Sequence, residues 1–307
     1  MSIVTREAVV QKLEELDLHL SPFIDYRLET MFPKLEGMFA KGAIKKKHKL
    51  VSTIEPLMEE MLLKNETVLF VSKGNQYSFV ERFFMGIWST TINHTVVILT
   101  NLRLLCIRTN GKGKPKKTFW CIYYSQIRDF KSTFAGNAKI ILKDGKKLVY
   151  SGFPKIDRNK MREVFIEAYD NFESKGFDPE VTQSQERLCG HCFEVVPKGQ
   201  YQCPSCTATF WTPTEVGVRS LIIPSWGDFV MGHYPIAIAE LIGFALVLFV
   251  VTGAIMNGDY LFAAFFFFMA NVMDAIITAQ IAKKGLHLKQ EPAPGAEPEP
   301  VVRVSRA

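Results

Sequence analysis

Histidine and cysteine are scarce in this sequence, with six of each among 307 residues. None of the histidines falls in an evident catalytic triad, and the chain has no P-loop, nucleophile elbow, HExxH or dinucleotide-binding pattern. The first twenty residues carry six charged side chains and lack the apolar core of a signal peptide, so we expect no cleaved leader. These absences disfavour catalysis and secretion, and we expect a non-enzymatic protein in a reducing compartment.

Four of the six cysteines form two pairs, Cys189-Gly-His-Cys192 and Cys203-Pro-Ser-Cys206, separated by ten residues. A Cys-x-x-Cys turn aims two sulfurs at one point, and Gly190 and Pro204 favour tight turns. Zn²⁺ prefers four soft ligands in a tetrahedron. The pattern therefore predicts a zinc ribbon at 189–212 that holds a structural Zn²⁺.

Other uses of the four thiols fit less well. A disulfide framework is typical of short secreted chains, and a redox dithiol needs only one pair beside a βαβ unit. An iron–sulfur cluster accepts four thiolates and stays an alternative, as does His191 in place of one thiol. A closed four-cysteine site has no open position for substrate, which disfavours catalytic zinc. The remaining cysteines, Cys106 and Cys121, lie in strand-like runs and are predicted to be buried small hydrophobes.

The net charge of +6 is unevenly distributed. Basic runs occur at 45–49 (KKKHK), 112–117 (KGKPKK) and 143–147 (KDGKK), whereas the C-terminal tail holds acids and prolines. Lysines in turns are usually there for solubility, but two of these runs could contact anionic lipid headgroups. That candidate set is Lys112, Lys114, Lys116, Lys117, Lys143, Lys146 and Lys147. Nucleic acid is an unlikely partner because few aromatic residues interleave with the lysines.

The first 65 residues have a helical pattern. Apolar positions predict one helix over residues 5–18, and Ser21-Pro22 predicts the start of a second. A third helix is expected from Ser52 to Lys64, with Ser52 and Glu55 as a capping box.

From residue 66 the pattern changes to short runs rich in Val, Ile, Tyr and Phe, separated by turn residues. Asp144-Gly145 is a hairpin signal, and Pro154 opens a helix over 155–172. The helix places Met161, Val164, Phe165, Ala168 and Phe172 on one face. Antiparallel strands followed by one helix predict a small barrel or sandwich.

Residues 95–130 carry a recognisable order of motifs: a strand, the turn Thr100-Asn101-Leu102-Arg103-Leu104, a second strand, and then Ser125, Ile127 and Phe130. This order resembles the pleckstrin-homology-like superfamily, especially its GRAM and bacterial branches, over about residues 66–172. The resemblance implies a β-barrel or sandwich with a C-terminal helix. Some members grip acidic headgroups through basic loops. Residues 74–92 look like an insertion after the first strand.

Two long apolar runs follow the cysteines, Ile236–Met256 and Tyr260–Ala282, joined by Asn-Gly-Asp. Each has about the twenty residues needed to cross a ~30 Å hydrocarbon layer. We therefore expect a transmembrane hairpin rather than a pair of soluble core helices. Basic residues flank the hairpin and are absent from its turn, which predicts a multi-pass protein of the inner membrane with both termini cytoplasmic. These residues are Arg219, Lys283, Lys284 and Lys289.

Two carboxylates, Glu240 and Asp274, lie within these runs at similar predicted depth. Charges in a membrane are costly and mark either a functional polar site or acids near the interface. Asn271 is expected to form an interhelical hydrogen bond.

The segment SLIIPSWGDFVMGHYP (220–235) resembles the entry of TM2-type hairpins, and NVMDAII (271–277) resembles their close. Ser225 stands where that family has Gly. The resemblance implies a hairpin module and names no chemistry. Trp226, Phe229 and Tyr234 suit the lipid interface.

The sequence thus predicts a multidomain α+β membrane protein. We expect a membrane-anchored adaptor that binds membrane proteins or further copies of itself. The alternatives are an anionic-lipid-binding module and an oligomeric component with a transport role for Glu240 and Asp274. Its expected parts are N-terminal helices (1–65), a PH-like domain (66–172), a linker (173–188), a zinc ribbon (189–212), an interfacial segment with two transmembrane helices (219–284) and a disordered Pro/Glu-rich tail (285–307).

Overall fold

A computed structural model describes residues 4–86, 88–132, 137–174 and 179–292. These residues form two compact units, which divide in sequence between Leu188 and Cys189. The first unit combines helices with a large antiparallel sheet, and the second holds the cysteine pairs and two long apolar helices. The predicted mixture of helices, antiparallel strands, a cysteine cluster and apolar helices is therefore present.

The N-terminal helices belong to the first unit together with the sheet. Thr5 caps α1, since its side chain accepts a hydrogen bond from the Ala8 amide (3.3 Å). The helix predicted to start at Ser21-Pro22 does not form there, because the Ser21 amide and hydroxyl bind Glu55 (2.8 Å) and Glu59 (2.5 Å). The helices are α1 (Arg6–Glu15), α2 (Leu28–Met31) and α3 (Ala40–Met61).

Helix α3 begins twelve residues before the predicted start at Ser52 and includes the whole KKKHK run. Its buried residues Ile44, Val51 and Met58 recur every seven positions, so one apolar stripe extends through the basic run. Ser52 lies inside the helix and its hydroxyl donates to the His48 carbonyl (2.8 Å). The predicted Ser52–Glu55 capping box is therefore wrong.

The strands of the first unit pair antiparallel in the order β5-β6-β7-β1-β2-β3-β4-β8. The predicted hairpin at Asp144-Gly145 is confirmed: it joins β6 to β7, and Gly145 has the positive φ of 84° that its turn requires. A closed barrel and the PH-like assignment stay predictions. The strands are β1 (Val68–Tyr77), β2 (His94–Thr100), β3 (Arg103–Thr109), β4 (Pro115–Tyr123), β5 (Ile127–Ser132), β6 (Ala138–Leu142), β7 (Lys147–Ser151) and β8 (Glu186–Leu188).

Two segments that were predicted to be an insertion and a linker contain regular secondary structure. The region 74–92, described above as an insertion, completes β1 and then forms α4 (Phe79–Met85) and α5 (Trp88–Asn93). The last three residues of the predicted linker form β8, which pairs with β4 through Phe119 and Leu188. Leu188 is buried, so apolar packing fixes this part of the segment.

Helix α6 (Lys155–Ser174) covers the core of the sheet. Its predicted apolar face is confirmed, because Met161, Val164, Phe165 and Ala168 are buried and Phe172 is partly buried against the same core. The Phe165 ring stacks on Phe130 of β5 at 3.9 Å between centroids. This contact attaches the helix to the sheet.

The Thr100–Leu104 turn is held together by hydrogen bonds and is tied to the start of β1. The Thr100 hydroxyl accepts a hydrogen bond from the Arg103 amide (3.0 Å) and closes the turn between β2 and β3. The buried Arg103 guanidinium donates to both carboxylate oxygens of Glu66, at 3.0 Å each, and to the Met61 carbonyl (2.9 Å). The motif therefore fixes the start of β1 to this turn through a bidentate ion pair.

Candidate metal centre and membrane hairpin

The four paired cysteines come together in the second unit. All four Sγ atoms lie within 4.8 Å of one another, and the sulfurs of Cys189 and Cys206, and of Cys192 and Cys203, are 3.5 Å apart. Sulfurs 3.5 Å apart are not bonded, since a disulfide bond is about 2.05 Å long. The cysteines are buried and are not joined by disulfide bonds.

Both Cys-x-x-Cys turns have the same backbone geometry. In each, the first cysteine's amide donates to the carbonyl five residues on, and its carbonyl accepts from the amide four residues on. The residue after the second cysteine, Phe193 or Thr207, has a φ of 62°. Gly190, in contrast, does not have a positive φ, so the tight turn comes from the position after the pair. Neither Phe nor Thr favours that conformation, so the residue types at these positions could not have predicted it.

The donor set fits one metal ion. A tetrahedral Zn²⁺ with Zn–S bonds of ~2.3 Å separates its sulfurs by about 3.8 Å, close to the spacing found here. The side chain of His191 is exposed, and only its backbone amide approaches a thiol, donating to Cys189 Sγ (3.4 Å). The site is therefore a four-thiol site that could bind a metal.

The metal module includes a strand from beyond the second apolar helix. Strand β11 (Leu288–Gln290) pairs antiparallel with β10 (Thr209–Phe210), and Leu286 is fully buried against the cysteines. The predicted disordered tail therefore starts later than residue 285, because Leu286 supplies part of a small apolar core. Residues 293–307 of that tail lie outside the described part of the chain. The remaining strand of the module is β9 (Val195–Val196).

Helix α7 (Pro213–Ile222) connects the metal module to the apolar helices. Thr212 and Glu215 form a capping box, with Pro213 at the first helical position. The pattern T-P-T-E was sufficient to predict this helix start, and our sequence reading missed it. The helix lies close to α10, since a Cβ atom on Gly217 would be 3.3 Å from the Ala275 carbonyl oxygen and from Ala279 Cβ. The helices that follow are α8 (Trp226–Val230), α9 (Tyr234–Met256) and α10 (Tyr260–Ala282).

Helices α9 and α10 are long and apolar enough to span a membrane. Each has 23 residues and so extends about 34 Å, more than the ~30 Å hydrocarbon layer. Their apolar surface is largely exposed: Phe249 is 79% and Leu261 is 86% accessible. Helices in the core of a soluble protein bury such side chains.

A buried polar cluster lies where α8 meets α10. The Asp274 carboxylate accepts a hydrogen bond from the Ser225 amide (2.9 Å). Asp228 pairs with His233 (2.8 Å) and accepts from the Thr278 hydroxyl (3.2 Å). Our sequence reading singled out Asp274 but missed Asp228 and His233, although an acid and a histidine five residues apart before an apolar run were a usable signal.

Ser225 has a φ of 73°, in the left-handed region that glycine favours. This is the position at which the TM2-type pattern has Gly. The strained backbone turns the Ser225 amide onto Asp274 and begins α8. Asp274 therefore holds the entry segment against α10, which is a structural use of a carboxylate within a long apolar helix.

Glu240 lies near both Asp228 and Asp274, and its Oε2 is buried without a hydrogen-bond partner among the described residues. The structure thus places Glu240 and Asp274 in one polar region. A transport role for them stays a hypothesis. Asn271 does not form the expected interhelical hydrogen bond with its amide nitrogen, which donates to the Phe267 carbonyl of its own helix (2.9 Å).

The lysines considered for headgroup contact separate into different places of the first unit. Lys112 and Lys114 line a groove beside α3. Lys146 donates to Gln185 (2.6 Å), while Lys143 and Lys147 are exposed at the β6–β7 turn. Lys116 and Lys117 both make contacts within the chain. The structure therefore does not bring the seven lysines into one site.

Cys106 and Cys121 are fully buried, as predicted. Burial raises the pKa of the Cys106 thiol to about 12 and that of Cys121 to about 11. Both thiols are therefore protonated at neutral pH and poor nucleophiles.

No family model matches the sequence, and no curated protein matches it. Among solved structures, the chain is similar to the crystal structure of the C-terminal domain of an unknown protein from Leishmania infantum. The two share 11% identity over 42% of this chain and 96% of that chain, with a TM-score of 0.27. A TM-score of that size does not indicate a shared fold, so function has to be inferred from this chain's own residues.

Proposed function

We propose that this protein is a non-enzymatic adaptor anchored in the membrane by α9 and α10. The main support is that these two helices leave most of their apolar side chains exposed. The sheet unit and the metal module, in contrast, have buried apolar cores. A bilayer covers such helices at no cost in unsatisfied backbone groups. The chain then holds a β-rich unit and a rigid cysteine module at one membrane surface.

In this proposal the four cysteines bind a structural Zn²⁺. The apolar residues buried around them are few: Val196, Ala208, Phe210 and Leu286. A core this small does not stabilise a fold by itself, so metal binding supplies the folding free energy. A closed four-thiol site also leaves no ligand position for chemistry.

Orientation follows from the basic residues at the hairpin ends. Arg219 precedes α9, Lys283 and Lys284 follow α10, and the turn at residues 257–259 has no basic residue. The positive-inside rule places both ends in the cytoplasm, where thiols stay reduced and available to zinc. The protein is then a multi-pass component of the inner membrane.

The first unit has a surface suited to a protein partner. Phe79 and Phe83 of α4 are exposed and stack at 6.3 Å, and Trp88 is exposed at the start of α5. Exposed aromatic residues are typical of protein contacts because they bury a large area at little entropic cost. The PH-like resemblance also favours binding over catalysis.

Affinity capture from membranes in mild detergent, after crosslinking in intact cells, tests this proposal. We expect defined membrane proteins, or further copies of the chain, to be recovered with the wild type and lost with Phe79→Ser, Phe83→Ser. The matched control is Phe23→Ser, which changes an equally exposed phenylalanine elsewhere in the unit. Recovery of the wild type alone and monomeric would contradict the adaptor role.

A further inference from the structure

A groove of about 1280 Å³ opens in the first unit between α3, β1, the β3–β4 turn and the start of α6. Sites for drug-sized ligands measure ~300–1,000 Å³, so this groove has room for a larger molecule. Helix α3 forms one whole side of it. The groove therefore exists only because the N-terminal helices pack on the sheet.

Much of the lining is apolar. Met38 and Phe39, just before α3, are 89% and 77% exposed, which is unusual for side chains of this size on a soluble surface. Apolar side chains continue along the groove. The apolar lining residues include Met38, Phe39, Ala43, Leu50, Pro115 and Ile156.

The polar lining is almost entirely cationic, with six lysines and one acid. The acid, Asp157, is already neutralised because Lys47 lies 2.8 Å away and Ser72 donates to the same oxygen (2.6 Å). Lys73 donates to the Gly111 carbonyl, which carries no charge to balance the ammonium. The other four lysines form no ion pair among the described residues. They are Lys46, Lys49, Lys112 and Lys114.

The charge at this groove lacks a counter-ion. Burial lowers the pKa of Lys73, since water no longer fully solvates its ammonium group. His94, near Lys73, has a pKa lowered to about 4 by burial and by the positive charges of Lys73 and Lys116. A bound anion would offset this repulsion, so the groove is complementary to a negatively charged ligand.

We propose that this groove binds one anionic phospholipid molecule, with its phosphate among Lys46, Lys49, Lys112 and Lys114 and an acyl chain along the apolar wall. A soluble metabolite would not use the exposed Met38 and Phe39. Single-stranded nucleic acid needs a series of stacking aromatic rings, and Phe39 is the one aromatic residue among the lining residues. The proposal depends neither on the adaptor role nor on the orientation of the hairpin.

Native mass spectrometry of the full chain in a nonionic detergent tests the proposal. The probes are dioleoyl-phosphatidylglycerol and dioleoyl-phosphatidylcholine, added separately. Two groove variants act by different means: Lys46→Glu with Lys112→Glu reverses charge, and Ala43→Trp fills the groove. The control, Lys143→Glu with Lys147→Glu, makes the same charge change at the exposed β6–β7 turn. Thermal unfolding of each variant checks folding, and Lys46→Gln with Lys112→Gln replaces a charge-reversal variant that unfolds early.

We expect the wild type to retain phosphatidylglycerol in preference to phosphatidylcholine. Both groove variants should weaken that binding about tenfold or more, since each lysine near an anionic group contributes to the attraction, and the control should bind like the wild type. Equal lipid binding by all variants would place the lipid on α9 and α10 and overturn the proposal. Full competition by glycerol 3-phosphate would assign the site to a free phosphate ester. If the groove variants bind lipid like the wild type but lose a protein partner in the affinity capture described above, the groove would be assigned to a peptide.

Discussion

Gly227, in α8, occupies a position where α7 and α10 leave no room for a side chain. A Cβ atom there would lie 2.4 Å from Thr278 Cγ2, 2.7 Å from the Val216 carbonyl oxygen and 2.8 Å from Ser220 Oγ. The carbonyl oxygen is backbone and cannot rotate away. A single methyl group would therefore push α8 off the polar cluster that holds the hairpin entry.

We predict that Gly227→Ala lowers stability by about 1–3 kcal/mol, the usual cost of overpacking. Thermal unfolding of the detergent-solubilised chain measures this. The matched control is Gly243→Ala in α9, where an added Cβ meets nothing within 4 Å and which should leave the midpoint unchanged or slightly raised. Equal midpoints for the two variants would contradict the packing described for α8.

His94, at the start of β2, provides a prediction on pH. Its pKa falls from 6.5 to about 4 in the folded chain, chiefly through burial and then through Lys73, Lys116 and Arg108. The unfolded chain therefore binds a proton at this site between pH 6.5 and 4, while the folded chain does not. The stabilisation is complete above pH 6.5 and is lost as the pH falls towards 4.

The variant His94→Gln should lack this part of the pH dependence. We expect the wild-type melting midpoint to fall relative to that of the variant between pH 6.5 and 4, and the two curves to run parallel above pH 6.5. Comparing the two proteins at each pH cancels the titration of the other histidines. Parallel curves over the whole range would show that His94 is accessible to protons in the folded state.

Among the elements, the four-cysteine module is the one whose fold we expect to depend most on a bound metal. Its two turns have identical hydrogen bonding, but its apolar core is small and its last strand comes from beyond α10. Metal loss should therefore release both the segment 189–212 and β11. The sheet unit has its own core and should stay folded.

We predict about one zinc per wild-type chain and its loss in Cys203→Ser, because three thiols bind zinc more weakly than four. Elemental analysis measures the metal, and limited proteolysis locates the newly accessible sites. His191→Ala is the control and should keep its zinc, since that side chain is exposed. Metal loss in His191→Ala with retention in Cys203→Ser would reverse the ligand assignment, and wild-type zinc well below half an equivalent would refute the site.

For the whole molecule, the proposed anchoring predicts which side of a membrane each end of the hairpin occupies. The two apolar helices follow each other directly in the sequence and are joined by a three-residue turn, Asn257, Gly258 and Asp259. Under the proposed orientation that turn faces outward, and β11 faces the cytoplasm with the metal module. A hairpin anchored in this way should also resist extraction by alkaline washing, because only detergent would replace the lipid around α9 and α10.

Cysteine labelling of intact cells checks this orientation. Gly258→Cys should react with a membrane-impermeant maleimide from outside, whereas Gln290→Cys, an exposed position on β11, should react only after permeabilisation. The native cysteines are buried and provide a low background. Release of the chain by alkaline washing, or labelling of Gln290→Cys from outside, would refute the anchored orientation.

Local sequence signals predicted much of this molecule. The paired cysteines, the apolar runs, the β-rich region, the Asp144-Gly145 turn and the apolar face of α6 all depend on spacing between near neighbours, and each was recognisable without a fold. The errors were also local. Ser52 was predicted to cap a helix but lies inside it, and the helix start at Thr212 was not predicted. Periodicity does not tell which of two candidate caps is used.

Contacts between distant residues were decided only by the tertiary structure. Arg103 was read as a motif residue, but its partner Glu66 lies 37 residues away. Asp274 was grouped with Glu240 by predicted depth alone, but its carboxylate accepts a hydrogen bond from the Ser225 amide. The basic runs at 45–49 and 112–117 seemed unrelated, yet α3 and the β3–β4 turn bring them to one groove. Sequence spacing fixes which side chains share a face of one element, whereas packing between elements decides which faces meet.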